Sequence, residues 1–122
     1  MKSNQNIILE KSFEFALDII EIYKCLAKEQ KEFILSKQLL RSGTSIGANI
    51  HESLSAESRI DFVHKLNISL KEARETEYWL RLLYESQYIE IYIYTSATNK
   101  LKEIIRLLKS IVLTTKQRYN LK

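Results

Sequence analysis

From about residue 6 to residue 28, Phe13, Ala16, Leu17, Ile20, Tyr23 and Ala27 recur at three- and four-residue steps. That is the period of an amphipathic helix with one stripe turned to a core, and this stripe is taken as the buried face. Ile8, Phe15, Ile19, Ile22 and Leu26 fall off it. The first helix is therefore apolar over a wider arc than a bundle seam needs, and the surplus is expected to cover a partner chain. After the polar break Lys28-Glu29-Gln30-Lys31, a second pattern runs over about residues 32–54 through Phe33, Leu35, Leu39, Ser42/Gly43, Ile46, Ile50 and Leu54. Its small residues, Ser42-Gly43-Thr44-Ser45 and Gly47-Ala48, suggest a loop on propensity alone. The apolar stripe keeps its phase through them, so a helix is predicted. Gly43 and Gly47 then share a face flat enough for another helix backbone to approach closely, which must offset a penalty of about 1 kcal/mol per glycine.

Ser55-Ala56-Glu57-Ser58 reads as the next turn, with Ser58 as N-cap and Asp61 three residues on. A third helix follows over residues 59–86 on the stripe Phe62, Leu66, Leu70, Ala73, Leu80 and Leu83/Tyr84, with Thr76 and Glu77 at a polar gap. The segment Tyr88-Ile89-Glu90-Ile91-Tyr92-Ile93-Tyr94 has strand propensity, but nothing else in the chain would pair with it. Traced backwards from Ile111 through Leu108, Ile105/Ile104, Leu101 and Ala97, the stripe of the fourth helix reaches Tyr94, so that helix is predicted over residues 91–118. Four helices joined by short turns imply an all-α, antiparallel up-down-up-down four-helix bundle, a single domain over residues 1–122.

Composition narrows this further. The 122 residues contain no proline and only two glycines, a punctuation that suits neither a β-sandwich nor an α/β fold. Cys25 is the only cysteine; no internal disulfide can form, a reducing cytoplasmic setting is expected, and on its helical pattern the thiol reads as a small packed group. Lys11, Glu14 and Asp18 interrupt the first apolar stretch, which argues against a signal peptide, and no run reaches the roughly 18 apolar residues of a membrane span.

Catalytic and metal chemistry find little footing. A di-iron bundle needs two Glu-x-x-His pairs and two further inward glutamates, whereas the chain offers only Asp61-Phe62-Val63-His64, with His51 elsewhere. No Gly-x-Ser-x-Gly elbow and no phosphate-binding glycine loop is present. The expectation is a protein with no enzymatic activity, no metal and no cofactor.

The formal net charge is +4, and it is unevenly placed. Between Lys100 and the C-terminus, Lys100, Lys102, Arg106, Lys109, Lys116, Arg118 and Lys122 oppose the single acid Glu103, while the rest of the chain is slightly acidic. Cations near a helix C-terminus favour its dipole, which accounts for Lys116, Arg118 and Lys122. Lys100, Lys102, Arg106 and Lys109 lie upstream, and Lys102, Arg106 and Lys109 share a face that could follow a phosphate backbone; Lys100, Lys102, Arg106, Lys109, Lys116 and Arg118 are the candidate nucleic-acid contacts. In the third helix, Glu72, Glu75 and Trp79 fall near one face. Either this is a solvated charge ladder with Lys71 and Glu75 paired, or Glu72 or Glu75 meets Arg41 or Asn49 of the second helix.

Two long motifs, Leu40-Arg41-Ser42-Gly43-Thr44-Ser45-Ile46-Gly47-Ala48-Asn49-Ile50-His51-Glu52 and the run from Phe62 through Lys71-Glu72-Ala73-Arg74-Glu75-Thr76-Glu77-Tyr78-Trp79 to Leu80, resemble the bacterial four-helix-bundle family encoded in 23S rRNA intervening sequences. The likeness spans nearly the whole chain and extends to the accessory variability proteins of diversity-generating retroelements. It implies a homopentamer around a central channel, association with RNA or DNA, or docking of a nucleic-acid enzyme such as a reverse transcriptase. It also implies that Arg41, Asn49, Glu52, Glu72, Glu75, Tyr78 and Trp79 form a functional or assembly surface.

Overall fold

A computed structural model describes residues 3–122. Four helices follow one another, α1 (Asn4–Glu29), α2 (Leu35–Ser53), α3 (Arg59–Glu85) and α4 (Ile91–Arg118). Each packs on its sequence neighbours, and α4 closes the ring against α1, as in a four-helix bundle. Phe15, Ile19, Leu39, Ile46, Leu66, Leu80, Leu101 and Leu108 are among the core side chains with essentially no exposure; each contributes about 1.5–3 kcal/mol by leaving water.

The helix ends are set by side chains and by three unusual backbone positions. Ser3 caps α1, its Oγ accepting from the Asn6 N–H, and Ser58 caps α3 by accepting from Asp61. α2 begins at Leu35 and not near residue 32, because Glu32 serves as its cap. The nearly buried carboxylate accepts from the backbone N–H groups of Ile34, Leu35 and Ser36, while Ser36 Oγ donates back to the Glu32 carbonyl at 2.7 Å. Burial raises the affinity of Glu32 for a proton, but the N–H groups of Leu35, Ser36 and Ile34 together outweigh it and hold the carboxyl below its ordinary range. α1, α3 and α4 are each followed by a left-handed residue, Lys31 (φ 56°), Gln87 (φ 69°) and Asn120 (φ 58°). The Tyr88 N–H reaches the Leu83 carbonyl at 2.9 Å and the Leu121 N–H that of Lys116 at 2.8 Å, the closing bonds of a Schellman turn. The chain thus places no glycine where its helices stop and keeps both inside α2.

Those glycines determine which face of α1 is buried. A Cβ on Gly43 would lie 2.8 Å from Cγ1 and 2.9 Å from Cγ2 of Ile19, and one on Gly47 would lie 3.3 Å from the backbone oxygen of Ser12. Ile19 fills the hollow at Gly43. The core face of α1 is accordingly Ile8, Ser12, Phe15, Ile19 and Leu26, and the stripe read as buried lies beside it, with Phe13 66% and Leu17 50% exposed and Ala16, Ile20, Tyr23 and Ala27 half-buried. Both stripes obey the helical period; the hollow on α2 chooses between them. On its other side α2 meets α3 through small polar residues. Thr76 Oγ1 bonds Ser42 Oγ at 2.9 Å and the Glu72 carbonyl at 2.8 Å, and Ser69 Oγ donates to the Ile46 carbonyl at 2.9 Å. Thr76 is therefore fully buried, not at a polar gap, and Val63 and Ser69 take core positions where Phe62 and Leu70 were expected. With their hydroxyls satisfied, these short side chains can be buried and let the helices approach.

Cys25 is a further correction: it is exposed, because Leu26 takes the adjacent core position. Its Sγ donates to Glu29 Oε2 at 3.1 Å, and this bond, slight burial and the Glu29 charge raise the thiol's pKa, which disfavours the reactive thiolate.

Candidate functional site

The α2–α3 seam carries a compact charged cluster. Arg41 points from α2 between two carboxylates of α3, with Nη1 3.1 Å from Glu72 Oε2 and Nη2 on Glu75 Oε1. The same Glu75 oxygen accepts from Trp79 Nε1 at 3.2 Å. The Arg41 hydrogen bond, followed by that of Trp79, holds the Glu75 carboxyl below its ordinary range. Glu72 and Glu75 are one turn apart and so present their carboxylates side by side. The planar guanidinium of Arg41 can donate to both at once. Trp79 packs edge-on against Tyr78, with ring centroids 5.0 Å apart, and Tyr78 is 59% exposed.

Of the surface expected from the two long motifs, Arg41, Glu72, Glu75, Tyr78 and Trp79 lie together. Asn49 and Glu52 do not join them: Asn49 Nδ2 folds back onto the Ser45 carbonyl at 2.8 Å, and Glu52 lies 3.8 Å from Lys65. The Lys71–Glu75 ladder gives way to the Arg41 contact. Gly43 and Gly47 face α1, away from this cluster.

The basic residues of α4 divide into three groups. Lys102, Arg106 and Lys109 are exposed in one row, and none has a carboxylate partner among the described residues. Successive residues turn by about 100°, so this row and Leu113 point away from the core side of α4. Lys100 faces α1, where its Nζ is 2.6 Å from Asp18 Oδ2; nearby, Lys11 lies 3.1 Å from Glu103. These two cross-helix pairs line the α1–α4 seam. Lys116 is half-buried, and Arg118 lies with Arg59 and Tyr119 at the end of the bundle.

Sequence reasoning missed Asp18 and Lys11 as partners of α4, the capping role of Glu32, and the meeting of Arg59 with Tyr119. Only Glu32 left a local signal, an acid just before an apolar run with Ser36 four residues on. Among the described residues, no three or more His, Cys, Asp or Glu side chains are placed to hold a metal ion, and no helix is long and apolar enough to cross a membrane. Both histidines are exposed.

A family model described as 23S rRNA-intervening sequence protein matches residues 4–110. A crystal structure of a protein of unknown function from the S23 ribosomal protein family of Bacteroides thetaiotaomicron VPI-5482 is similar with 56% sequence identity and a TM-score of 0.89, covering 90% of this chain and 98% of that one. No match was found among curated proteins.

Proposed function

The chain belongs to the 23S rRNA-intervening sequence protein family, and on that premise we propose that it is a non-enzymatic scaffold that assembles with copies of itself and holds RNA or DNA on the outer face of α4. The observation that carries the reading is the unpaired row Lys102, Arg106 and Lys109. Paired cations elsewhere on the surface, Lys100 and Arg41 among them, already have their counter-charges. The row spans about 10 Å of helix, the length of roughly three phosphates along one strand of a duplex. Self-assembly is supported by the flanking stripe of α1, where Phe13 and Leu17 are exposed on one face; apolar surface of this kind marks interaction sites. The non-enzymatic reading is supported by the buried hydroxyls, since Ser12, Ser36, Ser42 and Ser53 all donate to backbone carbonyls. Both histidines are exposed, and neither imidazole is hydrogen-bonded to a serine, threonine or cysteine among the described residues.

The test is the salt dependence of binding to a short single-stranded RNA, for the parent and for the triple variant K102Q/R106Q/K109Q. Each phosphate contact adds about 0.7 to the slope of log affinity against log salt, so losing three should flatten the slope by about 2. The three side chains are exposed and hold no hydrogen bond or ion pair among the described residues, and the circular dichroism should be unchanged. Equal slopes, or no binding by the parent at low salt, would remove the nucleic-acid role.

A second reading, docking of a nucleic-acid enzyme, is favoured by Tyr78, an exposed ring held against Trp79 beside the Arg41 cluster. Under that reading Tyr78→Ala abolishes capture of the enzyme while RNA binding and assembly mass stay at parental values.

A further inference from the structure

We infer that the cleft at the end of the bundle where α1 and α3 begin binds a small organic phosphate, a phosphate monoester carried on a planar ring. The cleft measures about 800 Å³, within the span of roughly 300–1,000 Å³ typical of small-molecule sites. Leu54, Phe62 and Ile111 give it an apolar lining, and Arg59, Arg118 and Tyr119 a cationic and aromatic one.

The two arginines are what set this cleft apart. Arg59 opens α3 and Arg118 closes α4, and neither has a carboxylate partner among the described residues. Arg41, Arg74 and Arg81, by contrast, are each paired with glutamate. The Arg59 guanidinium instead lies 3.7 Å from the centroid of the Tyr119 ring, and the nearby cations, Arg59 first and Arg118 after it, lower the pKa of the Tyr119 hydroxyl. Two guanidiniums without a carboxylate thus line one cleft beside the Tyr119 ring, and an anion bound there offsets their mutual repulsion. Guanidinium matches phosphate through paired N–H donors. Among the described residues Glu57 is the only carboxylate of the lining, which leaves a positive excess. Phe62 and the face of Tyr119 opposite Arg59 supply rings on which a planar group can stack, and Thr114 adds a hydroxyl at the wall, that of Thr115 being donated to the Ile111 carbonyl.

The site shares no residue with the row Lys102, Arg106 and Lys109, so either can fail without the other. The same chemistry is present in a free mononucleotide and at the 5′-phosphorylated end of a strand. Titration of isotopically labelled protein with AMP, followed by amide resonances, should shift Arg59, Phe62, Thr115, Arg118 and Tyr119. Arg59→Gln and Arg118→Gln should each weaken AMP about tenfold with an otherwise parental spectrum, Glu57→Gln should tighten it, and K102Q/R106Q/K109Q should leave it unchanged. Adenosine and inorganic phosphate should each bind much more weakly than AMP. If a 5′-phosphorylated tetranucleotide shifts these amides and its 5′-hydroxyl counterpart does not, a strand end is a natural ligand; if only AMP does, it is the free nucleotide. No shift at millimolar AMP, adenosine or phosphate binding as tightly as AMP, indifference to both arginine variants, or shifts confined to residues 102–109 would each overturn the proposal.

Discussion

Replacing Gly43 with alanine sets two opposing effects against each other at one atom. In a helix interior alanine is favoured over glycine by about 1 kcal/mol. The new Cβ, however, would stand 2.8 and 2.9 Å from the two γ-carbons of Ile19 and 3.3 Å from its Cβ. These atoms are not the far end of a flexible side chain. Ile19 is fully buried, and a β-branched residue in a helix is held to essentially one χ1 rotamer. Relief must come from parting α1 and α2, at the upper end of the roughly 1–3 kcal/mol that overpacking costs. The net expectation is a loss of about 1–2 kcal/mol. Ile19→Ala removes both clashing carbons; alone it costs about 2–5 kcal/mol, but in the Gly43→Ala background it should cost less, a coupling of about 1–3 kcal/mol. Ile19→Val keeps both carbons and should couple weakly. The assay is urea unfolding followed by far-ultraviolet circular dichroism, at one protein concentration because self-assembly shifts apparent stability by mass action, with the m-value unchanged. A Gly43→Ala protein as stable as the parent, or a valine that couples as strongly as alanine, would refute the close contact. Gly47→Ala meets Ser12 at 3.3 Å and should change stability by less than about 1 kcal/mol.

Further expectations follow from the charged and capping groups. Glu75 has a depressed pKa in the folded state, through Arg41 first and Trp79 second; its contribution to stability is present above the unfolded glutamate pKa and is lost as pH falls through the folded one. Trp79 is the only tryptophan, so its emission should titrate with a midpoint below the ordinary glutamate range, and Arg41→Gln should raise that midpoint; an unmoved midpoint would contradict the contact. Glu32→Gln loses one of two acceptor oxygens at the start of α2 and should cost about 1–2 kcal/mol at neutral pH. That deficit should shrink as pH falls through the lowered Glu32 pKa, and urea midpoints at neutral and acid pH would show it. Gln87→Gly relieves a side chain at positive φ and should raise stability by about 1 kcal/mol, read as a higher urea midpoint.

What the sequence disclosed depended on the range of the interaction. Four amphipathic periods and short turns were enough for the bundle, and the stripe from Ile111 back to Tyr94 was enough to read a helix through residues of strand propensity. The buried face of α1 was not legible, because Phe13 and Leu17 fit the period as well as Phe15 and Ile19 do. That choice rests on Gly43, in a different helix. Thr76 was misread for a related reason: its burial depends on Ser42 across the seam. The Arg41 contact with Glu72 and Glu75 stood among the sequence alternatives because helix spacing puts the two acids side by side. The pairs Lys100–Asp18 and Arg59–Tyr119 join opposite parts of the chain and left no local pattern.

The most direct test of the scaffold reading is the solution mass by light scattering at low and high salt, with and without a short single-stranded RNA. The expected result is an assembly of several chains that gains mass with RNA at low salt and releases it at high salt. A single chain whose mass is indifferent to RNA would contradict both the assembly and the nucleic-acid role.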